Sequence, residues 1–464
     1  MVGVRSPIDV SGLEQHVLRE LAERGVPGVA IGIRLGDHEF LRGFGVTNIA
    51  RPMPVDADTI FPIASLTKPI TCTALMRLIE LGSIELDAPV RRYIPELVLA
   101  DEACAQSLSV RHLATHSSGW GADFLGPFGR GPDALSLFVA ALPRLPQQTP
   151  VGSAWSYSNY HTALIARVIE IATGVSFEES IAKLVLDPIG MADTYFFRAD
   201  VFGRVVAAAH DLEPGGARIV PSERAFPEGR VFLPAGGFLS TARDLLRFAT
   251  FHLGDGKAGS NALLTPDSLA LMRSRLGPEG THGLTWFHED FVGRPLAGGL
   301  GIGHVGVDRG YLNELLLVPS RHFALVVLSN GGQTPAPLFP YLVASRFARG
   351  DPVGVSRWAV ENMLGLRSER APAYAPTVAE LEAFTGSYSG IRSLRVTRTD
   401  ALLALEMRHP DGGWSAPMRL VLLDADHVEI GDGPAAGTRG RAVRRDDGRV
   451  TWLRLALWLN VRTS

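Results

Sequence analysis

The segment Ser65-Leu66-Thr67-Lys68 stands where an extended run, Phe61-Pro62-Ile63-Ala64, turns into a helical pattern. Residues i and i+3 share a helix face, so the Lys68 amine can lie beside the Ser65 hydroxyl. A serine hydroxyl is a weak nucleophile that needs an adjacent base to take its proton as it attacks a carbonyl, and a neutral Lys68 can be that base. The helix N-terminus and nearby positive charge favour the neutral amine, and the free backbone N–H groups point toward developing negative charge. Taken alone the motif is ambiguous, because about one match arises by chance in a chain this long and a helix-capping serine with a surface lysine reads the same way. A second match, Ser180 to Lys183, lies in a helical stretch flanked by Glu178 and Glu179 and is expected to be a solvated helix face.

Two further groups of residues add to the first. Tyr157-Ser158-Asn159, again ahead of a helix, supplies a phenol that can relay protons and an amide that can bind a carbonyl. His304-Val305-Gly306 falls on a strand, where the glycine is expected to let a substrate backbone approach an exposed edge. Tyr311-Leu312-Asn313 repeats the Tyr-x-Asn pattern within a strand and is expected to pack. Residues 301–306 match Gly-x-Gly-x-x-Gly, but strand-like residues follow and no acid stands about 20 residues on, so no dinucleotide site is expected. His112 and His116 have the i, i+4 spacing of a zinc pair without an evident third ligand, so no metal is expected. The basic run 439–449, interrupted by Asp446 and Asp447, reads as a solvated turn.

The elements that must hold these groups follow from the hydrophobic pattern. Leu13, Val17, Leu18 and Leu21 mark an amphipathic helix, and residues 29–35 and 40–46 around Gly36-Asp37 mark a hairpin. Residues 66–275 are mainly helical, with glycine stops at Gly82, Gly174 and Gly254. Strands return at 283–287, 302–305, 314–318 and 323–328, followed by a helix over 337–349. This order suggests a sheet whose strands come from both ends of the chain. Residues 367–380, with Pro372 and Pro376, have the composition of a linker. Beyond them, short alternating runs predict a small antiparallel barrel or sheet. One run is a final strand over 452–461, with Leu453, Leu455, Leu457 and Leu459 on one face and Arg454 and Trp458 on the other. The expected units are a catalytic domain over 1–366, a linker over 367–380 and a β-domain over 381–464.

With 464 residues, 46% hydrophobic and 20% charged, the chain can bury a large core. Forty-five basic against 48 acidic residues leave a net charge of −3, which argues against nucleic acid or anionic lipid as partner. Cys72 and Cys104 form neither a disulfide scaffold nor a Cys-x-x-Cys pair, and the first residues show no apolar leader, so a cytoplasmic protein without membrane contact is expected.

In order and spacing, Ser65-Leu66-Thr67-Lys68, Tyr157-Ser158-Asn159 and His304-Val305-Gly306 resemble the serine β-lactamase and penicillin-binding-protein superfamily, in its class C and esterase-like branch, over residues 10 to 350. The stretches 110–119 and 236–242, the latter opening Gly236-Gly237, add to the likeness. The resemblance implies an α/β (α+β) fold, with an antiparallel sheet flanked by helices plus an all-helical lobe and the active site between them. A small all-β domain of lipocalin-like kind follows. It implies Ser65 as nucleophile, Lys68 and Tyr157 sharing base and proton-relay work, and Asn159 holding Lys68 or a substrate amide. The backbone N–H groups of Ser65 and Val307 would form the oxyanion hole, and His304 would face the substrate. Gly306, Gly236 and Gly237 would line the binding region. Arg454, on the final strand's face opposite the leucines, is either a solvated or interdomain arginine or a group that reaches the cleft and holds a peptide carboxylate.

β-Lactamases of the group carry Lys-Thr-Gly where this chain has His304, so potent β-lactamase activity is not expected. The implied function is a serine acyltransferase or hydrolase acting on peptidyl (thio)esters or amides without a cofactor. The best reading resembles the stand-alone penicillin-binding-protein-type thioesterases. These release nonribosomal peptides as macrocycles at a D-configured C-terminal residue, and the substrate can be a carrier-protein-bound peptidyl thioester. A cytosolic D-aminopeptidase or carboxylesterase-type hydrolase and a non-catalytic acyl-binding protein are the alternatives.

Overall fold

The computed structural model describes residues 8–120, 126–212, 219–221, 229–278, 280, 282–288, 301–308, 310–331, 354–366, 374–390, 393–400, 402–409, 412–433, 435–444, 448–455 and 457–464. A six-stranded antiparallel sheet joins β1 (Gly28–Leu35) and β2 (His38–Gly45) from one end of the chain to β3 (Phe287–His288), β4 (Ile302–Asp308), β5 (Tyr311–Val318) and β6 (Phe323–Ser329) from far along it. The order is β2-β1-β6-β5-β4-β3. The expected hairpin forms around Gly36-Asp37, and β1 then pairs with β6 from Val29↔Ser329 to Leu35↔Phe323. The expected strand over 283–287 survives only as β3, and β4 runs on to Asp308.

Alternation sends β1 side chains to two cores. Val29, Ile31 and Ile33 pack with Leu13, Val17 and Leu21 of α1 (Leu13–Arg24). Ala30, on the opposite face, joins Leu245, Leu246 and Phe248, which belong to a helix spanning Ala242–Leu253. Strands covered on both faces need apolar residues throughout, as in Phe323-Ala324-Leu325-Val326-Val327-Leu328. The core behind Ala30 extends into a helical lobe built on α2 (Thr67–Glu80) and α3 (Asn159–Thr173). Helix α2 is buried over most of its length, and its buried polar side chains Lys68, Thr71 and Thr73 are hydrogen-bonded inside the protein.

The C-terminal region is a closed barrel of eight antiparallel strands. They are β7 (Gly386–Ser389), β8 (Ser393–Thr399), β9 (Leu402–Met407), β10 (Met418–Leu422), β11 (His427–Ile430), β12 (Arg439–Arg444), β13 (Val450–Leu455) and β14 (Trp458–Arg462). Pairing of Tyr388 with Arg462 closes it. A barrel of this size is just filled by its own side chains, here Leu394, Leu405, Leu420, Val428 and Leu453 among others, with Leu381 and Phe384 of the preceding helix Val378–Phe384 in the same core.

Three expectations are corrected. The run over 452–461 is not one strand but the two arms of a hairpin, because Leu455 pairs with Trp458 across a turn at Leu457; residue 456 lies outside the described residues. The single-strand alternation therefore fails at Leu457, which leaves the barrel and packs against the catalytic sheet. The basic run at 439–449 is a strand through Arg444, because Arg439 and Arg444 pair with Glu429 and Asp426; residues 445–447 lie outside the described residues. So do the expected helix at 337–349 and residues 367–373 of the expected linker.

Candidate active site

The chain enters α2 through a sharp turn. Ala64 holds φ +48°, a left-handed conformation costly for a residue with a side chain, and Ser65 follows at the start of the helical run. Pro69 is tolerated because the first turn of a helix has no partners for its N–H groups. Lys68 is fully buried, and its Nζ donates to Ser65 Oγ at 3.2 Å, Asn159 Oδ1 at 2.7 Å and Ala235 O at 2.7 Å. These three acceptors match the three donors of an ammonium group. The same Nζ lies 4.6 Å from the Tyr157 ring centroid, a further stabilisation of buried charge.

Tyr157 and Asn159 arrive from the other side of the site. Ser158 caps α3, its hydroxyl accepting the Tyr160 N–H, so Asn159 is the first helical residue and Tyr157 lies just outside. The Tyr157 hydroxyl donates to Ser65 Oγ at 2.9 Å. The structure thus brings Ser65, Lys68, Tyr157 and Asn159 together, with Asn159 on Lys68.

The third group sits on β4. Gly306 packs so closely on the Ser65 turn that a Cβ there would lie 2.2 Å from Ile63 O and 3.2 Å from Leu66 Cγ. The glycine therefore admits the nucleophile's own backbone, a correction to the expectation that it admits a substrate. This contact sets the segments carrying Ser65 and Val307 side by side. Gly236 and Gly237 are likewise closed off, because a Cβ would meet the Phe232 ring at 2.6 Å and Leu233 Cα at 2.7 Å. Both are buried, so their small size lets the short helix Leu233–Gly236 present the Ala235 carbonyl to Lys68.

His304 is buried, with Nδ1 donating to Val305 O at 2.9 Å and its ring 6.4 Å from Tyr157. Burial first and Lys68 second push its pKa well below the usual histidine value. The group is neutral near pH 7 and does not replace the fixed charge of a lysine. Arg454 is also buried, its guanidinium 5.6 Å from the Trp155 ring centroid.

Several contributors are not evident from sequence. His116 and His161 form a buried pair behind Tyr157, Nδ1 to Nδ1 at 2.7 Å, with the His116 ring 4.8 Å from that of Tyr157. Ser158 N–H donates to His116 Nδ1 at 3.4 Å, so His161 Nδ1 is the donor within the pair, and Ser118 donates to His161 Nε2. Burial, and then Lys68 and His282, hold His161 at about 3. The pair's signal in the sequence is position, with His116 inside the stretch 110–119 and His161 two residues beyond Asn159. His112 bonds instead to Ser109, so the zinc-like spacing joins two unrelated networks. Asn313, from the repeated Tyr-x-Asn, does pack as expected, but its amide donates to Pro62 O and anchors the run into the nucleophile turn. Of the second Ser-x-x-Lys, Lys183 is exposed and pairs with Glu179, whereas Ser180 is buried against Thr173. Among the described residues no three side chains are grouped to hold a metal, and no helix is long and apolar enough to cross a membrane.

Comparison with known proteins places this arrangement in context. The family described as Beta-lactamase matches residues 13–344. Penicillin-binding protein 4 of Amycolatopsis lactamdurans is 30% identical over 345 residues, covering 70% of this chain and 86% of that protein. Esterase EstB of Burkholderia gladioli is 33% identical over 264 residues, covering 50% of this chain and 66% of its own. The crystal structure of SurE superposes with a TM-score of 0.72 at 25% identity, covering 98% of this chain and 99% of that one. The same protein solved with D-Leu gives 0.73 at 24%, over the same shares.

Proposed function

The chain belongs to the β-lactamase family of serine hydrolases, and from that premise we propose that it transfers a peptidyl acyl group through Ser65. The observation that carries the reading is the convergence of Lys68 Nζ and Tyr157 Oη on Ser65 Oγ, at 3.2 and 2.9 Å. The base is the Lys68–Tyr157 pair with one proton removed, two coupled groups that titrate as a unit. Three acceptors on Lys68 favour the ammonium, leaving a phenolate to take the serine proton. As the Ser65 Oγ bond to the acyl carbon forms, that proton passes to Tyr157 and onward to the departing thiol, alcohol or amine as its bond to carbon breaks. The backbone N–H groups of Ser65 and Val307 receive the developing oxyanion. A second nucleophile then attacks the ester and returns its proton through Tyr157 to Ser65 Oγ.

The substrate in this reading is a peptidyl thioester or ester, free or on a carrier protein, with a D-configured residue at the acyl carbon. The second nucleophile is the substrate's own amine, so the peptide leaves as a macrocycle. SurE solved with D-Leu supports the D-configuration. In this reading the buried apolar cluster that packs with Tyr157, including Leu457, Trp155 and Phe287, limits water on that side of the site and favours aminolysis over hydrolysis. Arg454, over Trp155, is the group in this reading for a substrate carboxylate. Similarity to EstB favours a second reading, simple hydrolysis of esters. A peptidyl N-acetylcysteamine thioester ending in a D-residue tests the choice: cyclic product by mass supports the proposal, and linear acid alone supports the esterase.

A further inference from the structure

We infer that Leu457, at the tip of the barrel hairpin β13–β14, is a positioning residue for Tyr157. This rests on the reading of Tyr157 as part of the base. Three consecutive N–H groups fix the segment that presents the phenol. Ser156 N–H donates to His116 O at 2.9 Å, Tyr157 N–H to Leu457 O at 2.9 Å and Ser158 N–H to His116 Nδ1 at 3.4 Å. The middle bond crosses from barrel to catalytic domain, and a fourth bond, Leu459 N–H to Ser156 Oγ at 3.4 Å, runs beside it.

The hairpin is built for that contact rather than for the barrel. A two-residue turn ordinarily carries Gly, Asn or Asp and faces water. Here Leu457 stands in the turn and is only 2% exposed, packed among Trp155, Tyr157, Phe287, Val305 and Leu312. A sequence that breaks the local turn rule and buries an apolar tip in another domain marks a site where function overrides local preference. Leu457 thus fixes Tyr157 twice, by its carbonyl on the backbone and by its side chain against the ring. The barrel then helps to build the active site, and movement of the hairpin is transmitted to the base.

The test is single-turnover acylation of the full-length protein by a p-nitrophenyl ester, run as a cycle over wild type, Leu457→Ala, Tyr157→Phe and the double variant. Leu457→Ala is expected to slow acylation about tenfold without changing the half-saturating ester concentration, and Leu457→Met to restore it. Tyr157→Phe is expected to cost about a hundredfold, and the double variant no more than that, because Leu457 acts through the phenol. Independent, multiplying losses overturn the inference, as does Leu457→Ala at the wild-type rate. If Tyr157→Phe itself is silent, it is the reading of the base that fails. Should Leu457→Ala not fold, Leu457→Val and Ser156→Ala go through the same cycle with the same criteria.

Discussion

Replacing Gly306 by alanine tests whether β4 sets the position of the nucleophile. The added Cβ would lie 2.2 Å from Ile63 O, whereas an unstrained carbon–oxygen contact is about 3.3 Å or longer, so strand and turn must part by about 1 Å. Ser65 is two residues beyond Ile63 on the same tight turn and moves with it. A displacement of that size in a reacting atom costs on the order of a hundredfold in rate, and the overpacking itself costs about 1–3 kcal/mol of stability. Gly303 on the same strand is the control, because a Cβ there would meet Leu315 O at 2.4 Å, as severe a clash but away from the turn. Acylation by a p-nitrophenyl ester and urea unfolding are measured for both variants. Similar destabilisation with a large rate loss only in Gly306→Ala is expected. Wild-type acylation in Gly306→Ala, or an equal loss in Gly303→Ala, refutes the positional argument.

Lys68→Ala is expected to lower acylation on the order of a hundredfold or more, because it removes a donor from Ser65 Oγ and from the base pair; stopped-flow release of nitrophenol reads this. Nitrocefin turnover is expected far below the roughly 10–1,000 per second of dedicated enzymes, because a neutral His304 offers no fixed cation to the β-lactam carboxylate. His161, His252 and His282 are each held at about 3, against about 6.5 in an unfolded chain. Between those values the unfolded state binds the extra protons, so stability falls as pH drops from 6.5 toward 3, by roughly one to two kcal/mol per pH unit for each histidine. A urea midpoint clearly lower at pH 5.5 than at pH 7.5, with unchanged slope, bears this out.

The parts of the fold that could be read in the sequence are those with a single dominant local signal. The β1–β2 hairpin has its turn at Gly36-Asp37, α2 and α3 end beside Gly82 and Gly174, and the barrel strands alternate. Ser65, Lys68, Tyr157 and Asn159 were legible as motifs because helix geometry fixes the i, i+3 pair and a serine cap fixes Tyr157 ahead of α3. What stayed hidden is backbone or crosses between distant segments. The Ala235 carbonyl on Lys68 carries no side-chain signature. Gly306 reads as an opening until the Ser65 turn is seen packed on it. Leu457 obeys strand alternation in sequence, and only the pairing of Leu455 with Trp458 on either side of it places it in a turn.

Ser65 is expected to form an acyl-enzyme with help from Lys68 and Tyr157. Intact-protein mass spectrometry after brief exposure to an activated acyl ester, followed by peptide mapping, tests it most directly. One added acyl mass is expected on the peptide containing Ser65, lost in Ser65→Ala with the fold unchanged. An undiminished adduct in Ser65→Ala, or an acyl group mapped to Ser180, would contradict it.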